Sequence, residues 1–290
     1  MRFEYTEPVT IEDAVNLLAK HNGKAKVIAG GTDLIVQMRQ KMIKSDHLID
    51  IARIPGLDRI DYDDEGGLRI GALTTIRAIE KSAEIRENYP AISQAASKLA
   101  SVAIRNLGTV GGNLCNASPS AEMAPALIGL GANVKIVGPE GEREVVLEDF
   151  FTGPGSTVLK KGELLVEIHV PVSLPGTRSV YLKHAVRGAM DLALVGVAVV
   201  IVMDPGDGVC QDIRVVLGAV APTPMRARSA EEVIKGKRMD KSLIEKSAEA
   251  ASAEASPISD VRASAEYRSQ MVKVFTRRAL SQVTGATEVN

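Results

Sequence analysis

Apolar positions in the first fifty residues come in short bursts set between longer, more polar stretches. Residues 3–5, 26–29 and 47–51 are the bursts, and each reads as a strand. Between them Ile11, Val15, Leu17 and Leu18 lie on one side of a helix behind Thr10, whose hydroxyl can cap its N-terminus. Leu34, Ile35 and Met38 predict a second helix over 34–42, directly after the turn Gly30-Gly31-Thr32-Asp33. The order is β-α-β-α-β.

From Pro55 to Pro171 the pattern changes. Residues 68–71 read as a strand, Thr74 or Thr75 caps a helix over 76–82, and Pro90 opens a helix that runs to about 100. A Gly-rich stretch at 108–112 reads as a second turn, and Pro125 opens an apolar segment ending at Gly131. Residues 133–137 and 143–146 flank Gly138-Pro139-Glu140-Gly141, a hairpin signal, and 164–170 is a strand stopped by Pro171. Beyond Gly176, residues 180–186, 192–203 and 212–220 read as three strands, followed by helices over 230–236, 242–255 and 264–283. Three strands then three helices suggest an α+β unit with its helices on one sheet face. The division expected is 1–54, 55–172 and 176–285, with the last six residues frayed.

Charge and composition narrow the function. With 35 basic and 36 acidic residues and 3% aromatics, neither a nucleic-acid surface nor a base-stacking platform is expected. Two cysteines, Cys115 and Cys210, cannot ligate an iron–sulfur cluster through four thiolates, and no C-x-x-C or H-E-x-x-H marks a metal site. The longest apolar run, 192–203, is well short of the roughly 20 residues of a membrane span. Residues 1–5 carry an early acid and no apolar core of a signal peptide, so a cytoplasmic, reduced setting is expected.

The candidate chemistry lies in two Gly-Gly turns. One is Ile28-Ala29-Gly30-Gly31-Thr32-Asp33-Leu34 and the other is Thr109-Val110-Gly111-Gly112-Asn113. Consecutive glycines bare backbone N–H groups, and such donors can hold a diphosphate without a metal. Two ordinary turns would look the same. Neither turn fits a P-loop or a G-x-G-x-x-G fingerprint. Gly111 stands where a side chain would meet the diphosphate. Arg105, ahead of the second turn, reads as a phosphate contact or a surface ion pair. Cys115 reads as a small buried hydrophobe.

The run 29–34, followed by Thr109 to Glu122, resembles the FAD-binding subunit of molybdenum hydroxylases, the family of xanthine dehydrogenase and carbon monoxide dehydrogenase. Ala189-Met190-Asp191 and Ala221-Pro222-Thr223-Pro224 look closer to the xanthine dehydrogenase branch. The resemblance implies a vanillyl-alcohol-oxidase-type α+β fold. Two subdomains would grip FAD, bound non-covalently, and a C-terminal domain with a three-stranded antiparallel sheet and three helices would close over it. It implies that 28–34 and 109–113 form diphosphate loops. Glu122, where the family often has Asp, would contact the adenosine side. Leu165 would lie against the isoalloxazine, Lys183 near the ring, and Asp191 and Leu192 along its open face. Lys183 and Asp191 would then be a pair of opposite charges tuning the flavin. No catalytic residue and no metal ligand is assigned. Molybdopterin and [2Fe-2S] clusters would sit on a large subunit and an iron–sulfur subunit, in a dimer of heterotrimers. NAD would be the acceptor, and xanthine, another N-heterocycle or an aldehyde the substrate. The other readings are a carbon monoxide dehydrogenase medium subunit, a stand-alone flavin oxidoreductase, or a non-catalytic nucleotide-binding protein.

Overall fold

The computed structural model of the chain describes residues 2–188 and 190–285. Ala189 and the final five residues, to which part of the family-like run and the expected fraying belong, lie outside them. Among the described residues the strands form four sheets. The first is parallel, in the order Glu4–Thr6, His47–Asp50, Ala25–Ile28. Helix Ile11–His21 connects two of its strands, and the Thr10 hydroxyl accepts from Asp13 N–H at 3.1 Å, as the sequence predicts. The helix after the first Gly-Gly turn is Leu34–Arg39, shorter than 34–42, because Lys41 adopts a left-handed φ of 59°.

The second sheet is antiparallel, in the order Ile60–Asp63, Gly67–Gly71, Leu164–Val170, Asn133–Gly138, Gly141–Val146. Its first strand escapes sequence reading because two of its four residues are Asp, yet it alternates half-buried Ile60 and Tyr62 with exposed Asp61 and Asp63. Strand Leu164–Val170 has a bulge between Leu165 and Glu167 and is covered on both faces. Leu164 and Val166 pack with Ala14, Val15 and Leu18 of the first helix, while Leu165, Ile168 and Val170 enter the core beneath helices Pro90–Lys98 and Met123–Gly129. The Gly-rich stretch at 108–112 is not a simple turn. It joins two short helices, Val102–Leu107 and Val110–Asn116, the second capped by Thr109. A small two-stranded sheet pairs Phe151–Gly153 with Ser156–Thr157.

The C-terminal sheet is antiparallel, in the order Thr177–His184, Val195–Met203, Cys210–Gly218, Met225–Arg226. The last strand, two residues long, adds to the three that the sequence predicts. Helices Arg228–Ile234, Lys241–Glu254 and Ala265–Thr284 follow. They cover the face that carries Val195, Val197, Val199, Ile201, Val215 and Leu217. The other face is not open. Tyr181, Ala198, Val200 and Val216 join the core of the second sheet's helices, so both faces are buried. Glycines allow the close approach. A Cβ on Gly218 would lie 2.8 Å from Pro125 Cγ, and one on Gly129 would lie 3.0 Å from Val200 Cγ2.

The turn before the last helix is held by Asp260. Its carboxylate accepts from Arg262 Nη2 at 2.5 Å, from Arg262 N–H at 2.9 Å and from Arg268 Nη2 at 2.9 Å. Arg268 is 2% exposed and also donates to Leu194 O at 3.2 Å. Arg262, by side chain and backbone, and then Arg268 hold the Asp260 carboxyl well below the usual carboxylate range. A carboxyl depressed on folding stabilises the fold above its unfolded pKa, about 4, and loses that contribution as pH falls through the folded value. The stability gap between wild type and Asp260→Asn, measured by urea unfolding, should therefore be constant from pH 8 to 5. It should close only as pH drops below about 4.

Candidate functional site

The two Gly-Gly segments meet. Gly30 lies so close to the end of helix Val102–Leu107 that a Cβ there would sit 2.0 Å from Leu107 O and 3.0 Å from Gly108 Cα. Only glycine permits this approach. Gln37 Nε2 donates to Asn116 Oδ1 at 3.3 Å, joining the helices that follow the two segments. Residues 28–32 are half-buried, as is Leu34, and Asp33 is exposed. Gly31 has φ +68°, which turns the chain into helix Leu34–Arg39. No hydrogen bond among the described residues takes up the N–H of Gly30, Gly31, Thr32 or Asp33. The first segment thus presents a run of free donors, the property that an anion-holding loop requires.

The second segment differs from what its glycines suggest. Val110 N–H donates to Thr74 O at 3.0 Å, Gly111 N–H to Ala72 O at 2.9 Å and Asn113 N–H to Thr109 O at 2.9 Å. Gly112 N–H donates to the Thr109 hydroxyl at 3.1 Å. These four amides are used within the protein, so the donors this segment has left to offer are the Thr109 N–H, for which no hydrogen bond among the described residues is found, and its side chains. The open face expected at Gly111 is also absent, since a Cβ there would meet Ala72 Cβ and Ala72 O at 2.7 Å. Gly111 is a packing glycine, and Gly111→Val would act on the fold before it acted on a ligand. Asn113 carries the signal that points outward. Its Oδ1 is buried and has no partner among the described residues. A buried orphan acceptor costs about 1–3 kcal/mol, a cost that a donor from a ligand removes.

Arg105 is neither a phosphate contact nor a surface pair. It is buried, donates to Glu80 through Nε at 2.9 Å, and caps Leu99 O at 2.8 Å and Ala100 O at 3.2 Å. Helix Val102–Leu107 is in this sense inverted. Its charged residue points inward, while Val102, Ile104 and Leu107 are exposed.

A third cluster forms beside these segments. Glu122 and Lys183 pair at 2.8 Å with both side chains buried. Lys183 Nζ also donates to Lys98 O at 3.0 Å and to Asp191 O at 2.6 Å, so each of its three N–H groups has an acceptor. Burial pushes the Glu122 carboxyl up, against the pull of Lys183, and the nearby Asp33 charge adds to the rise. Asp33 is pushed up as well: its residue surface is exposed, but neighbouring chain strips part of the water from its carboxyl. The adenosine-side and ring-side roles expected for Glu122 and Lys183 therefore fall on two groups in contact.

The two charges expected near the flavin, Lys183 and Asp191, meet through the Asp191 carbonyl and not through its carboxylate. The Asp191 carboxylate turns back on its own segment, accepting from Arg187 N–H at 3.1 Å and Leu192 N–H at 3.0 Å. Partial burial pushes this carboxyl up, but those two N–H groups and the Arg187 guanidinium bring it below its ordinary value. Leu165 is 2% exposed inside the core, so its side chain offers no surface to a ring. Leu192 is 55% exposed and does. Burial pushes the thiol of Cys115, a half-buried residue packed against the core, up to about 12, which disfavours its thiolate. Two contributions had no local sequence signal, because both depend on distant chain: the Lys98 carbonyl and the Arg268 bond to Leu194 O.

Residues 1–173 match the family described as FAD binding domain in molybdopterin dehydrogenase, and residues 180–283 match the CO dehydrogenase flavoprotein C-terminal domain. The chain belongs to the FAD-binding medium subunits of the molybdenum hydroxylases. It is 34% identical over 283 residues to the xanthine dehydrogenase FAD-binding subunit of Escherichia coli O157:H7, covering 97% of this chain and 96% of that one. It is 36% identical over 281 residues to the carbon monoxide dehydrogenase medium chain of Afipia carboxidovorans, covering 97% and 96%. Its fold superposes on the carbon monoxide dehydrogenase structure from Hydrogenophaga pseudoflava with a TM-score of 0.94, at 34% identity and 98% coverage of both chains. The two branches match at similar identity.

The residues present suit FAD. Its diphosphate needs donors, which the free amides of 30–33 supply. Its hydroxyls carry the proton that the buried Asn113 oxygen lacks. Asn113→Ala should therefore leave the FAD-free chain as stable or up to about 1–2 kcal/mol more stable, because an unsatisfied buried acceptor is removed. The same change should weaken FAD at least about tenfold, a loss of roughly 1.4 kcal/mol. Urea unfolding of the FAD-free chain and a fluorescence titration with FAD read the two effects separately.

Proposed function

We propose that this chain is the electron outlet of a heteromeric molybdenum hydroxylase. It would bind FAD non-covalently and in extended form between residues 1–54 and 55–172, with 176–285 closing over it. The observation that carries the reading is the loop 30–33, rich in free N–H groups and locked by Gly30 onto the segment that holds the orphan Asn113 oxygen. Ile28, Ala29 and Leu34 would shape that loop. Thr32 and Asn113 would add polar contacts, and Thr109 would act by capping the helix that carries Asn113. Val110, Gly111 and Leu165 would act from behind, as packing. FAD, when bound, supplies the exchange between one- and two-electron chemistry. What the chain supplies is position and field. Lys183 would place a positive charge by the ring, compensated by Glu122.

Two cysteines cannot bind a four-thiolate cluster, so the [2Fe-2S] clusters and molybdopterin would belong to an iron–sulfur subunit and a large subunit. The exposed apolar side chains of Val102, Ile104 and Leu107 lie beside the Gly30 loop and suit a protein neighbour there. The assembly would be a dimer of heterotrimers. No helix among the described residues is long and apolar enough to cross a membrane. NAD would be the acceptor, approaching over Leu192, with the exposed Arg187 guanidinium offering charge to an anionic dinucleotide. Xanthine, another N-heterocycle or an aldehyde would be the substrate. A carbon monoxide dehydrogenase-type complex is the second reading, favoured by a relative of that kind at 36% identity.

Stopped-flow mixing of the substrate-reduced complex with NAD tests the acceptor. Wild type should be reoxidised. Arg187→Ala should need about tenfold more NAD for the same rate, equivalent to roughly 1.4 kcal/mol of lost binding. If NAD leaves the wild-type complex reduced, the acceptor is wrong. Acid precipitation should release all flavin into the supernatant. Assays with xanthine and with carbon monoxide separate the two branches.

A further inference from the structure

The segment between His184 and Leu194 carries the exposed face offered to the flavin and its acceptor in the function proposed above, and the inference rests on that reading. Its two ends are closed together, with Leu194 N–H donating to His184 O at 2.8 Å. Each end is also fixed from the last helix: His184 Nε2 lies 2.9 Å from the Tyr267 hydroxyl, and Arg268 donates to Leu194 O. Inside the segment the position is different. The Asp191 carboxylate accepts from Arg187 and Leu192 N–H, but these bonds are internal and fix nothing to the body of the protein. Val186, Met190 and Leu192 are exposed and contribute little packing. Among the described residues, one hydrogen bond reaches from the interior of the segment to the rest of the chain. It is the 2.6 Å bond from Lys183 Nζ to Asp191 O.

We propose that Lys183 is a positioning residue that latches the 185–192 segment to the flavin half of the molecule through the Asp191 carbonyl. Its ammonium is itself immobilised by Glu122 and by Lys98 O, both on the flavin half, and the strand Thr177–His184 delivers it across the boundary. The geometry divides the labour in the segment. Asp191 sets its shape with its side chain and its attachment with its main chain. Glu122 compensates the buried ammonium but does not touch the segment.

The test is amide hydrogen exchange of the full chain, with and without FAD, read at the Arg187 and Leu192 amides, the N–H groups of the segment that are hydrogen-bonded among the described residues. Lys183→Met should speed exchange there at least tenfold and leave strands Val195–Met203 and Cys210–Gly218 unchanged. Because that variant leaves Glu122 buried without a partner, Lys183→Met/Glu122→Gln repeats the measurement with the buried charge removed. Glu122→Gln alone keeps the ammonium and an acceptor oxygen, and exchange in the segment should stay within twofold of wild type. The proposal is overturned if exchange in the segment is unchanged in both variants that lack Lys183. It is equally overturned if their exchange rises throughout the chain, or if Glu122→Gln frees the segment as much as Lys183→Met does. Failure of FAD to slow exchange in the wild-type segment would count instead against the flavin reading and leave the latch standing.

Discussion

Strand Val195–Met203 carries apolar side chains toward two different cores, and the site depends on that division. Its odd positions, Val195 to Ile201, pack on the C-terminal helices, and Ala198 and Val200 pack against the helices of the flavin half. Each buried Val or Ile is worth roughly 1.5–3 kcal/mol, so the sheet cannot leave either neighbour cheaply. Strand Thr177–His184 is fixed to it in antiparallel register from Thr177–Val202 to His184–Val195. That register sends Tyr181 and Lys183 toward the flavin half, and His184 toward the last helix.

The charge on Lys183 arrives in a place where water is excluded, and the surroundings answer it. Glu122 opens a helix whose residues Met123–Gly129 are all buried, so neither partner can withdraw to solvent. Removing one side of such a pair costs about 3–5 kcal/mol because the other is left charged and dry. The same logic governs Arg105, which is held inside by Glu80 and two carbonyls and so leaves helix Val102–Leu107 with its apolar side chains outward. In both places a buried ion pair fixes a backbone segment beside the Gly30 loop.

The two Gly-Gly segments look alike in sequence and do different work. Gly31 turns the chain and leaves free amides, and Gly30 permits contact with Leu107 O. Gly111 permits contact with Ala72, and the amides of 110–113 are spent on neighbouring carbonyls and, at Gly112, on the Thr109 hydroxyl. The polar capacity of the second segment is carried by Asn113 instead. Loss of a side chain thus serves ligand access in one case and close packing in the other.

Local sequence determined a good part of this protein. The Thr10 cap and helical spacing set helix Ile11–His21, and the Gly-Pro-Glu-Gly run set the hairpin between Asn133–Gly138 and Gly141–Val146. The uninterrupted apolar run set the central C-terminal strand, and the run from Thr109 to Glu122 marked the family. These are properties of neighbouring residues, so they can be read without the fold. Leu165, Asp191, Arg105 and Gly111 could not be read in that way. Their positions in the chain were informative, but the direction of each side chain was set by a bulge, a turned-back carboxylate, a distant Glu80 and a facing Ala72. The pairing of Glu122 with Lys183, sixty-one residues apart, was likewise decided only when the two-sided sheet brought the halves together. A residue's type limits the bonds it can make, and burial by distant chain selects which of them it makes.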